Sequence, residues 1–323
     1  MDPIYKLLIV KIHLLLLILL LPFFLFSQKT ETYYDYFWKP CSAENARYFS
    51  LVEKTDSGWF RKDYFLSSRT LQMQGLYEDE NCKTSNGFFK FYYPSGSPSS
   101  IRRFIHGKWE GVGISYYSNG MILDSGLFHE GNVVDKRLRW HRNGYMSDSV
   151  TRINDSTEVE IAWFDDGAVA NAGYLVNGKQ NAKWKYYHHN GQLSSLETYA
   201  NGKLTVAEYF DENGRPLADT SGVNKEAAFK GGEQAWKKYL ERKLHWPPGL
   251  QFSRTAAVTV GIDFTVDENG KIIDAEVSVP FHPDFDNIAL SIIKGSPAWI
   301  PATAHNRKVK AYRRQPVTFE QSD

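Results

Sequence analysis

The sequence predicts a mainly β protein: an antiparallel β-hairpin repeat array followed by a small α+β domain. Three observations predict this class: glycines at a near-constant step, an aromatic residue at a fixed offset before each, and a change of period after Pro216. Gly96, Gly120, Gly144, Gly167, Gly191 and Gly214 are separated by 24, 24, 23, 24 and 23 residues. A fixed step of this size marks a repeat architecture. Four residues before these glycines stand Tyr92, Tyr116, Trp140, Trp163, Tyr187 and Phe210. Tyr64 extends the column to a worn seventh copy, in which Ser68 takes the glycine's place. Eleven residues after the first five glycines come Gly107, Gly131, Asp155, Gly178 and Gly202.

Each unit therefore carries two turn signals, such as Asn119-Gly120 and Glu130-Gly131, because these pairs accept the left-handed backbone of tight hairpins. The runs between them, such as Lys183-Trp184-Lys185-Tyr186-Tyr187, are rich in aromatic residues and too short for stable helices. Strand, turn, strand, turn is the expected unit, and successive units continue one meander. Seven such units extend about 65 Å at the usual strand spacing. The aromatic column forms a ridge that either builds the sheet or presents a surface to a glycan or protein.

The unit "KWKYYHHNGQLSSLETYANGK" at residues 183–203 resembles the variant MORN repeat, and the resemblance extends over residues 59–217. It implies single-layer hairpin stacking and no activity of its own.

The ends carry separate signals. Lys6 and Lys11 precede a 15-residue apolar run, Ile12 to Phe26, with Ser27 before Gln28. This is the pattern of a secretory signal over residues 1–27. A helix of that length spans roughly 22 Å, short of the ~30 Å hydrocarbon core, so cleavage is preferred over a retained anchor. The chain is then exported, to the periplasm or envelope, and touches a membrane only if the leader stays. Residues 28–58 lack the repeat period and form a cap over the first hairpin. Cys41 and Cys82 either pair as a disulfide in an oxidising compartment or remain two thiols.

Net charge is +1, which gives no electrostatic reason to expect nucleic acid. No nucleophile elbow, metal motif or phosphate loop is present, so the chain is read as non-enzymatic, without cofactor or metal. His188-His189 and the carboxylate pairs Asp165-Asp166 and Asp211-Glu212 are turn residues.

Residues 218–226 are small and polar, a linker. Beyond them "EQAWKKYLERKLHW" places Trp236, Tyr239, Leu240 and Leu244 on one helical face. Val258, Val260, Ile262, Phe264 and Val266 alternate with Thr259, Gly261, Asp263 and Thr265, the pattern of a half-buried strand. "DENG" turns the chain into a second strand, Ile272 to Val279. A second helix buries Phe285, Ile288, Ala289, Ile292 and Ile293, and a third strand runs from Lys308 to Phe319.

"FKGG" at 229–232, "VTVGIDFTVDENGKI" at 258–272, "AWIPA" at 298–302 and "QPVTF" at 315–319 together resemble the TonB C-terminal domain, over residues 227–321 of a domain expected at 227–323. Ser253-Arg254-Thr255, Phe281-His282-Pro283 and Asn306-Arg307 depart from that family's pattern. The resemblance implies capture of an extended peptide from a periplasmic or outer-membrane protein, added as a further strand in outer-membrane transport. An anchored energy transducer and a structural or glycan-binding repeat protein with a docking domain are the alternatives. The expected edge is the third strand, with Lys308, Lys310, Tyr312, Arg313, Arg314 and Val317 as partner-binding residues. Its cations either guard the edge against self-association or read an acidic peptide.

Overall fold

The computed structural model describes residues 30–250 and 257–321. The leader, the Ser253-Arg254-Thr255 segment and residues 322–323 lie outside the described residues.

Sixteen strands from Thr30–Tyr34 to Lys203–Tyr209 form one antiparallel sheet; fifteen follow one another in sequence order, and the two-residue Lys108–Trp109 pairs beside that path with Pro98–Ile105. The capping segment supplies its first strand, Thr30–Tyr34, which pairs with Tyr48–Thr55. One local device recurs at the first turn of each unit. The Gly120 N–H donates to the Tyr117 carbonyl, and the Tyr117 N–H donates to the Met121 carbonyl. This is a three-residue loop closed by a left-handed residue, here Gly120 at φ +85°. The pairing register slips just before the column residue, at Asp63/Tyr64, Phe91/Tyr92, Ser115/Tyr116, Arg139/Trp140, Ala162/Trp163 and Tyr186/Tyr187. The aromatic column thus marks a β-bulge in each of these copies. Phe210, at the end of the array, instead bridges to Pro216.

The worn copy departs from the expected alignment. Its loop is one residue longer, closed by the Phe65 N–H on the Thr70 carbonyl, so Arg69 (φ +54°) rather than Ser68 takes the left-handed position. The Asp155 turn differs too: the Asn154 carboxamide oxygen accepts from the N–H groups of Ser156 and Thr157 at 3.1 and 2.9 Å.

Column residues are only half-buried. The wholly buried rings lie elsewhere, with Trp184 at 1 % and Phe89 at 2 % exposure. Trp184 lies across Gly173 so closely that a Cβ there would sit 2.2 Å from its ring, which explains a glycine inside a strand.

The C-terminal region has two helices, α1 (Gly232–Lys243) and α2 (Pro283–Lys294), and a three-stranded antiparallel sheet. Ala257–Val266 is central, between Ile272–Val279 and Ala311–Glu320. Val258, Val260, Ile262, Phe264 and Val266 are at most 1 % exposed and meet Trp236, Tyr239, Leu240, Phe285, Ala289 and Ile293 in one core. Against the half-buried expectation, Gly261 and Asp263 on the opposite face are buried as well. The capping segment and the first repeat cover that face: Tyr34, Tyr36 and Tyr48 of the cap pack with Phe65 and Val279.

The linker is likewise not a free tether. Lys225 bridges to Thr303 and Ala228 to Ile300, and Val223 is buried. The expected third strand is broken at Lys310. Arg307–Val309 forms a separate short hairpin with Ala302–Ala304, and only Ala311–Glu320 joins the main sheet.

Candidate functional site

Among the described residues, Ala311–Glu320 pairs with the central strand on one side and with no strand on the other. Antiparallel ladders alternate bonded and non-bonded pairs, and proline fits only the latter. Pro316 sits opposite Gly261. Residues of its parity, including Arg314 and Thr318, therefore aim their N–H groups at the open margin. Beside that margin runs a groove of about 670 Å³ between α1 and the strand, lined by Leu240, Leu244, Trp246, Pro316, Phe319 and Glu320 among others.

The six residues expected to bind a partner do not share one surface. Val317 is 1 % exposed and belongs to the core, because its parity faces the helices; its side chain cannot meet a partner. Lys308 is exposed on the short hairpin. Lys310 pairs with Asp165 of the repeat array; burial lowers its pKa, but the hydrogen bond it donates to that carboxylate, together with the negative charges of Asp165, Glu268 and Asp274, raises it on balance. Arg313 donates to the Ala227 carbonyl at 2.7 Å and to Glu226 at 3.1 Å.

Arg314 and Tyr312 both turn to Asp263. The guanidinium donates from Nε and Nη2 to the two carboxylate oxygens, each at 2.7 Å, and Ser278 adds a third partner. Burial pushes the Asp263 carboxyl up, yet these donors outweigh it and hold the group below its ordinary 3.8. The Tyr312 hydroxyl is pushed up to about 12 by burial and by Asp263. Three of the four expected cations are thus matched by the chain's own acids or carbonyls. Backbone groups of the margin are what the arrangement offers to an extended segment.

Three groups of residues escaped the sequence reading. The position after four of the column aromatics forms a ladder between units: Tyr93 donates to the Tyr116 carbonyl at 2.7 Å and Tyr117 to the Trp140 carbonyl at 2.8 Å. His141 and His188 reach the Trp163 and Phe210 carbonyls at 2.9 and 3.0 Å. A second column of hydrogen-bonding rings, offset by one, was the available signal.

The second group is Glu197, 1 % exposed, which accepts from Ser195, Tyr199 and His305. Burial raises its pKa, but these hydrogen bonds, His305 first, carry the net shift downward. Nothing in a 23-residue period flags it.

The third is the docking turn. His305 stacks on Tyr186 with centroids 3.5 Å apart, and the Asn306 amide donates to the Phe210 carbonyl. Arg307 donates to the carbonyls of Ala170 and Tyr187. At the other end Arg47 lies 4.2 Å over Phe281. The sequence had marked both Asn306-Arg307 and Phe281 as departures from a family pattern.

Cys41 and Cys82 are unpaired, and burial raises both thiol pKa values. The disulfide alternative therefore has no counterpart in the structure. Among the described residues, no three His, Cys, Asp or Glu side chains are grouped to hold a metal ion.

Comparison with known families adds one match: the MORN repeat variant, over residues 180–201. No curated protein matches the chain. The chain thus carries a MORN repeat variant within a long antiparallel hairpin meander.

Proposed function

We propose that the C-terminal region captures an extended peptide by strand addition, in the manner of the TonB C-terminal domain, and that the hairpin array is its scaffold. The observation that carries this reading is the unpaired margin of Ala311–Glu320 beside the α1 groove. Backbone hydrogen bonds give affinity in this mode, and alternate side chains of the peptide give specificity. The groove's Leu240, Leu244 and Trp246 suit apolar anchors. The leader pattern before Gln28 favours an exported envelope protein that meets a periplasmic or outer-membrane partner.

A display library of linear peptides selected on the full chain tests the reading. Thr318→Pro deletes one N–H of the open margin while sparing the ladder to the central strand. Selected peptides are expected to lose binding to that variant, and undiminished binding would refute strand addition.

A further inference from the structure

Between Tyr93 and His188 the ladder between units has one break. Phe164 stands there and has no donor, so among the described residues no ring hydroxyl or imidazole of the array reaches the Tyr187 carbonyl. Arg307 fills this break from the C-terminal region: Nη1 donates to the Tyr187 carbonyl at 3.0 Å and also to the Ala170 carbonyl. Nη2 donates to the Asn171 carboxamide oxygen at 3.2 Å. The guanidinium carbon lies 5.2 Å from the Phe164 ring centroid and 5.6 Å from that of Tyr186.

We infer that Phe164, Ala170, Asn171, Tyr186 and Tyr187 form a guanidinium-recognition socket in the repeat array, with the chain's own Arg307 as resident ligand, and that its occupancy docks the C-terminal region on the sheet. This holds whether or not the margin at 311–320 takes a peptide. Acceptors that diverge around a planar fork fit a guanidinium rather than an ammonium. Aromatic rings lie against the charge, and no carboxylate is ion-paired with it among the described residues. Burial lowers the Arg307 pKa to about 10, against the opposing pull of Tyr186 and Glu197, and at that value the group is still a cation at neutral pH.

Hydrogen exchange on the full chain tests the socket. Arg307→Ala is expected to speed amide exchange in Ala302–Val309 and around Asn171 at least about tenfold, the loss of a charged hydrogen bond. Exchange in the Val258–Val266 core should stay unchanged. Arg307→Lys should behave like Arg307→Ala, and added low-millimolar guanidinium chloride should slow exchange around Asn171 in the alanine variant only. Wild-type exchange in Arg307→Lys would show that charge alone suffices and overturn the socket, as would absence of any guanidinium effect. Should Arg307→Ala lose its core protection, Asn171→Ala removes an acceptor from the array side. It must then release the Ala302–Val309 hairpin; wild-type exchange there would also overturn the socket.

Discussion

The Tyr117 hydroxyl donates to the carbonyl of Trp140, 23 residues further along, at 2.8 Å. It joins two neighbouring units, which also meet where the Asn119 amide donates to the Arg142 carbonyl and the Arg142 guanidinium to the Ser118 hydroxyl, each at 3.1 Å. The acceptor is the bulge residue, whose backbone is displaced from regular pairing.

Tyr117→Phe keeps the ring and removes the donor. The expected loss is about 1 kcal/mol, the usual net worth of one hydrogen bond, read as a lower urea midpoint at unchanged slope. An unaltered midpoint would mean that the ladder contributes nothing to the array.

Gly173→Ala drives a methyl into Trp184 at 2.2 Å, and that ring is wholly buried with no room to retreat. Overpacking of this kind costs about 1–3 kcal/mol. Gly126→Ala, where the nearest ring atom is 3.1 Å away, should cost less in the same unfolding assay.

Two carboxylates give opposite pH signatures. Burial first of all raises Asp286 to about 6, above its ordinary 3.8, although the Phe281 N–H donates to it at 2.9 Å. The folded chain holds that proton more tightly. Its contribution is fully present below 3.8 and lost as pH rises through about 6. Asp286→Asn should therefore gain stability relative to wild type across that interval. Asp263, held below 3.8, contributes above that value and loses its share as pH falls through the lowered one. Asp263→Asn should lose stability at neutral pH and approach wild type in acid. Urea unfolding over a pH series decides both signs.

Two free thiols in the folded chain predict that the unreduced protein, once unfolded, reacts with two equivalents of a thiol reagent. No reaction before reduction would show a bond between Cys41 and Cys82.

The array was legible because its period is written in glycine and aromatic residues, each answering a local demand: a left-handed turn residue or a bulge. The α1, α2 and Val258–Val266 faces were legible for the same reason, since burial alternates with the local geometry. What the sequence concealed is long-range. Gly261 and Asp263 read as the wet side of a strand, and only the overlying cap and array bury them. Lys310, Arg313 and Arg314 read as a basic patch because their acids, Asp165, Glu226 and Asp263, lie about 50 to 150 residues away in the chain. The break at Lys310 and the inward parity of Val317 follow from pairing partners that no local pattern names.

The open margin is tested most directly by residue-resolved amide exchange in Ala311–Glu320 of the free full-length chain. The account predicts alternation: fast exchange at Arg314 and Thr318, slow exchange at Arg313, Gln315 and Val317. Uniformly slow exchange through the strand would show that the margin already has a backbone partner and would contradict peptide capture there.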